Sequence, residues 1–158
     1  MTGTATFSPC APGSSRYTSA YLYSEEGEFV TDNGLRFNAR RRYVYRLKKD
    51  PETETDELDI SFFDDEKAVG GSEVGHKGEG IGGLFVEMGP LEYESTWSGT
   101  LRAKNKEKHL CIDDLYAASW RFGAGMFEKG ESGEKWWEVQ YDVKGPKKDY
   151  VSWTRYEM

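Results

Sequence analysis

Residues 108–116, KHLCIDDLY, place His109, Cys111, Asp113 and Asp114 within six positions. Three chemistries use such groups. A zinc site takes four nitrogen or sulfur ligands, or three and a water; one His, one Cys and one Asp along a strand fall short, and the only other imidazole is His76. A thiolate nucleophile needs its imidazole within hydrogen-bond reach, whereas neighbours at i and i+2 in a strand stand about 7 Å apart. A His109–Asp114 proton-transfer pair is better supported, because burial and a nearby carboxylate tune an imidazole into the working range. The reading adopted is a polar wall of a cavity, without a metal. A regular strand puts His109, Cys111 and Asp113 on one face; a bulge at Asp113 would instead unite His109, Cys111, Asp114 and Tyr116.

A second set lies in RFNARRRYVYRLKK, residues 36–49. Alternation sends Arg36, Arg40, Arg42, Arg46 and Lys48 outward as a solvated face, and puts Arg41 inward with Phe37, Tyr43 and Tyr45. An inward guanidinium needs compensation. Glu25 supplies it, or a ligand carboxylate or phenolate does; the two are compatible. The hexad GEGIGG, 78–83, matches a dinucleotide-binding fingerprint in letters only. An acidic loop precedes it and LFVEMGP follows, so the strand before and the helix after are both missing.

These groups must be positioned by strands. Period-two alternation recurs over 3–7, 16–30, 35–48, 57–64, 84–89, 94–103, 108–122, 134–144 and 149–157, and no helical stripe exceeds two turns. In the first long hairpin, TDNGL allows a two-residue turn or a three-residue loop 32–34 with Gly34 left-handed. The three-residue loop sets Tyr21, Tyr23, Glu25 and Phe29 opposite Tyr45, Tyr43, Arg41 and Phe37 on one face, and it is adopted because the alternative scatters the rings over both faces. At the other end KGPKK, 144–148, turns between two strands whose shared apolar face is read as Trp137, Val139, Tyr141, Val143, Val151, Trp153 and Arg155, with Arg155 beside Trp137 for a cation–π contact. Eight or nine one-sided strands and no helices predict an all-β, antiparallel up-and-down barrel, one domain over 1–158, with a two-sheet sandwich as the fallback. The Gly- and charge-rich stretch 64–83 is expected as a mobile loop, a lid at one mouth.

Composition narrows the partners. The formal net charge is −7, which repels nucleic-acid backbones and anionic membranes, so neither partner is expected. The start, MTGTATFSPC, shows no secretion signal, and two cysteines without C-x-x-C spacing read as reduced thiols; a cytoplasmic protein is expected. Aromatic residues make up 15% of a chain that is 31% charged, the mark of elements with a ring face and a charged face.

RRRYVYRL, YSEEGEF, HLCIDDLY and VKGPKKDYVSWTRY resemble an uncharacterised microbial domain-of-unknown-function family, itself similar to the lipocalin-like (calycin) barrels. The resemblance covers nearly the whole chain, rests most on the V-x-G-P-x-K-D-Y turn, and implies a small β-barrel with no established catalytic residues. Two departures stand out. The resemblance leads one to expect a Trp-bearing strand before GTATF, and without it an open edge or pairing between subunits is expected; Val86 stands after LF where the family suggests His.

The expected function is binding of one small hydrophobic or aromatic molecule carrying an anionic or hydroxyl group, with no cofactor. Arg41, Tyr43 and Tyr45 would orient its polar end, Trp137, Tyr141 and Trp153 would pack its rings, and His109, Asp114 and Tyr116 would line the opposite wall, with Tyr23, Glu25 and Arg155 also in the ligand site. The alternatives are a cofactor-free isomerase or cyclase using His109, Asp114 and Arg41, and haem binding through His76 or His109 in the manner of nitrobindin-like barrels.

Overall fold

The computed structural model describes residues 2–30, 33–94, 99–111, 113–126 and 133–157; the side chains of Thr2, Phe29, His109 and Cys111 are outside that description. Within it the protein is all-β. The strands are β1 (Thr2–Cys10), β2 (Tyr17–Val30), β3 (Arg36–Lys49), β4 (Asp56–Phe63), β5 (Ile81–Pro90), β6 (Glu92–Tyr93), β7 (Leu101–Lys104), β8 (His109–Cys111), β9 (Asp114–Phe122), β10 (Trp136–Lys144) and β11 (Asp149–Glu157). A single 3₁₀ turn, Ala124–Met126, is the one helical piece among the described residues. One sheet runs β1-β2-β3-β4-β5 in chain order, the other β11-β10-β9-β7-β6 with β8 also on β9. The chain divides into two compact units, residues 1–54 with 59–85 and residues 55–58 with 86–158, so β4 and β5 give residues to both.

In the first unit the β2–β3 ladder sets Tyr21, Tyr23, Glu25, Gly27 and Phe29 opposite Tyr45, Tyr43, Arg41, Ala39 and Phe37. This is the register of the three-residue loop, and Gly34 has φ +82°, a backbone state that a residue with a Cβ adopts only under strain. β1 extends the ring face by setting Phe7 opposite Tyr23.

The other face of this sheet is covered, contrary to the expectation of a solvated one. Ala20, Val44 and Phe63 are buried there, packed by Cys10, Leu22, Ala68, Val74 and Ile81. Segment 64–80 therefore lies as a pad on the sheet and is not a lid. Its own hydrogen bonds fold it, from Asp64 N–H to Gly80 O (2.8 Å) and from Gly75 N–H to Glu79 O (2.9 Å). Arg42 anchors it by pairing with Asp65, donating to Gly71 O at 3.2 Å and lying over the Phe63 ring at 4.4 Å. Arg36 and Arg40 are exposed as expected, but Arg42 and Arg46 are half-buried and Lys48 is buried. Apolar Val44, Leu22 and Phe63 on the same face supply the reason: their burial brings the cationic neighbours in with them, and each of those must then find a partner.

In the second unit three expectations on register change. Positions 94–103 do not form one strand: β6 and β7 make a hairpin, Tyr93 opposite Leu101, with Gly99 at φ +60°. The 108–122 strand is also a hairpin, β8 turning into β9 with Cys111 opposite Asp114 and His109 opposite Tyr116. The C-terminal turn spans four residues, 145–148, with Lys144 opposite Asp149 and Gly145 N–H donating to Lys148 O at 2.8 Å. That one-residue difference moves β11 by a full face. Trp137, Val139, Tyr141 and Val143 stand opposite Tyr156, Thr154, Ser152 and Tyr150, while Val151, Trp153 and Arg155 join Asp142, Gln140 and Glu138 on the reverse side. Trp153 is accordingly 58% exposed and Trp137 only 2%.

Candidate functional site

The strongest constellation grows from the β2–β3 ring ladder. Directly opposed positions of an antiparallel pair stand within side-chain reach, and here successive pairs are aromatic. Phe7 lies 5.1 Å from both Tyr23 and Tyr45, centroid to centroid. Tyr23 stacks on Tyr43 at 6.3 Å, and Tyr43 on Phe85 at 5.4 Å, with Phe62 4.9 Å beyond. The series runs from buried Tyr23 and Tyr45 to Phe62, which is exposed.

Into the buried end the ladder sets a carboxylate. Glu25 is 2% exposed and accepts a hydrogen bond of 3.0 Å from the Tyr23 hydroxyl. A carboxylate in such surroundings requires donors, because burial of an unsatisfied charge is strongly unfavourable. Arg41 stands opposite Glu25 on the ring-bearing face, as expected, and is exposed there. The chemistry offered by this surface is a run of ring faces ending in a phenol and a carboxylate.

In the second unit the residues singled out divide between faces. Trp137, Tyr141, Tyr116 and Asp114 share the face that buries Trp120, Phe122 and Val143; Tyr156 stacks on Trp137 at 4.6 Å and Tyr141 meets Trp120 edge-on at 6.0 Å. Trp153 and Arg155 are on the other face, where the Arg155 guanidinium lies over Trp136, 4.2 Å from the ring centre, and not over Trp137. Asp114 is buried beneath the C-terminal turn: Lys148 Nζ lies 3.4 Å from its Oδ2 and donates to the Tyr116 hydroxyl at 2.8 Å. Gly145 leaves the space that the Asp114 carboxylate occupies, since a Cβ there would overlap Oδ1. Gly145 and Lys148, the Gly and the Lys of the V-x-G-P-x-K-D-Y segment, thus have a structural task, to seat and neutralise Asp114. Of His109 the structure describes the backbone, opposite Tyr116; His76 is exposed.

Sequence reasoning missed a second buried polar group. Lys48 Nζ lies 3.0 Å from Asp59 Oδ2, with hydrogen-bond geometry, and 2.9 Å from Oδ1. The Tyr17 hydroxyl donates to Oδ2 at 2.8 Å, and Arg46 lies 4.0 Å over the Tyr17 ring while donating to Ser61 Oγ at 2.7 Å. Burial first, then the bond to Asp59, pushes the Tyr17 phenol above its ordinary pKa. The hidden signal is a register shift between Tyr17 and Ser19, which sets Tyr17 opposite Lys48 and turns it from the ring face to the charged one.

Among the described residues no three His, Cys, Asp or Glu side chains are grouped to hold a metal ion, and no helix is long and apolar enough to cross a membrane. Fold and site together define an all-β protein of consecutive antiparallel strands with a ring-lined face and a buried carboxylate. The chain belongs to a family of unknown function, DUF6314, whose model matches residues 1–158. No curated protein and no solved structure matches it.

Proposed function

We propose that the protein binds one small aromatic or otherwise hydrophobic molecule bearing a hydroxyl group, and that its strands close into a lipocalin-like barrel around it. The observation that carries this reading is Glu25, a carboxylate 2% exposed at the end of a continuous ring series. Ring faces match a planar ligand, and a carboxylate with a phenol beside it matches a hydroxyl donor. An anionic end is less well served, because Arg41 is exposed and the buried group is a carboxyl. Most of the affinity comes from apolar area and the choice of ligand from the polar end.

Fluorescence titration of the full chain with 2-naphthol tests the reading against 2-methoxynaphthalene, which keeps the rings and loses the donor. Saturable binding of 2-naphthol, about tenfold weaker for the ether and weakened about tenfold in Glu25→Gln, is the expected result. Equal affinity for the two compounds, or a Glu25→Gln variant that folds and binds unchanged, overturns it. Native mass spectrometry of protein purified from its own host then identifies the molecule retained.

A further inference from the structure

We propose that a groove in the second unit, on the sheet face away from Trp120 and Trp137, binds a small anion that also carries a hydroxyl group, of the hydroxyalkyl phosphate or hydroxy carboxylate kind. The groove is about 390 Å³, within the range of small-ligand sites, which is roughly 300–1,000 Å³. It shares no lining with the ring series of the first unit, so the two proposals stand or fall separately.

The groove exists because a ladder is interrupted. β7 ends at Lys104 and β8 begins at His109, both pairing with β9. Between them Asn105 takes over the ladder bonds: its N–H donates to Ala118 O at 3.1 Å, its Oδ1 accepts from Ala118 N–H at 3.0 Å, and its Nδ2 donates to Tyr116 O at 3.3 Å. Lys106 then ties the segment down through Glu57 (2.9 Å) and Glu87 (3.2 Å). The detour leaves a trough beside β9 and β10, floored by Ala117 and Ser119 and walled by Gln140 and Asp142.

The lining has a definite charge pattern. With Lys106 neutralised, Lys104 and Lys108 are exposed on one rim and enter no ion pair among the described residues. Two unpaired ammonium groups call for an anionic oxygen. Across the trough Asp142 has a buried Oδ1 with no hydrogen-bond partner among the described residues, and such acceptors are rare in folded proteins. A bare anion leaves that oxygen unsatisfied, and a bare cation meets the two lysines. A ligand with a negative group at one end and an O–H at the other answers both, and the Gln140 amide and Ser119 hydroxyl are neutral partners for its middle.

Titration of the ¹⁵N-labelled full chain with glycerol 3-phosphate and with methyl phosphate, followed by amide shifts, separates the two halves of the idea. Glycerol 3-phosphate is expected to give saturable shifts at 104–108, 117–119 and 140–142, with methyl phosphate about tenfold weaker. The K104Q/K108Q double variant, altering exposed positions only, should weaken both by about tenfold or more, and D142A should abolish the preference between them. Absence of saturable shifts at these amides, equal binding of the two phosphates by the unaltered protein, or unchanged binding in K104Q/K108Q overturns the proposal. If D142A does not fold, the unaltered protein's preference and the lysine variant still decide.

Discussion

Replacing Lys48 with Met keeps the length of the side chain and removes its charge. Lys48 is 3% exposed and Asp59 1%, so the change strands a carboxylate out of water with the Tyr17 hydroxyl as its remaining donor among the described residues. Breaking one side of a buried pair destabilises by about 3–5 kcal/mol. With a urea dependence of about 2 kcal/mol per molar, the unfolding midpoint should fall by about 1.5–2.5 M with an unchanged slope. The triple variant Tyr17→Phe, Lys48→Met, Asp59→Leu removes the carboxylate and both of its donors and should recover most of that loss, since a well-packed apolar replacement of an ion pair is close to neutral. Equilibrium urea unfolding followed by circular dichroism reads both. A loss under about 1 kcal/mol in Lys48→Met would refute the reasoning, because it would mean that water reaches the pair.

Four further outcomes follow from the same geometry. Burial pushes the Cys10 thiol up to about 11 against an ordinary 9, so the folded state holds this proton where the unfolded state releases it; the stability it contributes is complete below pH 9 and lost as pH rises through about 11, and Cys10→Ala should flatten that part of the pH–stability curve. Iodoacetamide labelling at pH 8, read by peptide mass, should find Cys10 at least tenfold slower than a free thiol. Gly145→Ala should destabilise by about 1–3 kcal/mol in thermal unfolding, by forcing Asp114 off its seat under the turn. Trp137→Ala should be destabilising by about 3–5 kcal/mol, while Trp153→Ala changes stability by less than about 1 kcal/mol; similar losses would mean that the β10–β11 register is wrong.

What the chain revealed by itself was local. Alternation marked the long strands, and the ring ladder chose the three-residue loop at Gly34, because only one register collects Tyr21, Tyr23, Tyr43 and Tyr45 on one face. Those are neighbour relations written in the order of residues. KGPKK was recognised as a turn, but its length by one residue was not, since Val151, Trp153 and Arg155 satisfy alternation equally well on either face. The His109–Tyr116 segment reads as a continuous strand because no Gly or Pro stands between Cys111 and Asp114, the residues that pair across its hairpin.

Burial, by contrast, was a tertiary decision. Arg41 and Lys48 are near neighbours in a cationic strand, and alternation assigned them inward and outward; in the fold Arg41 is exposed and Lys48 buried. What holds Lys48 out of water is its pairing with Asp59, beside a shift at Tyr17 that turns a phenol toward the same carboxylate. A strand's pattern tells which side chains share a side, but which side water reaches depends on what the rest of the chain lays across it.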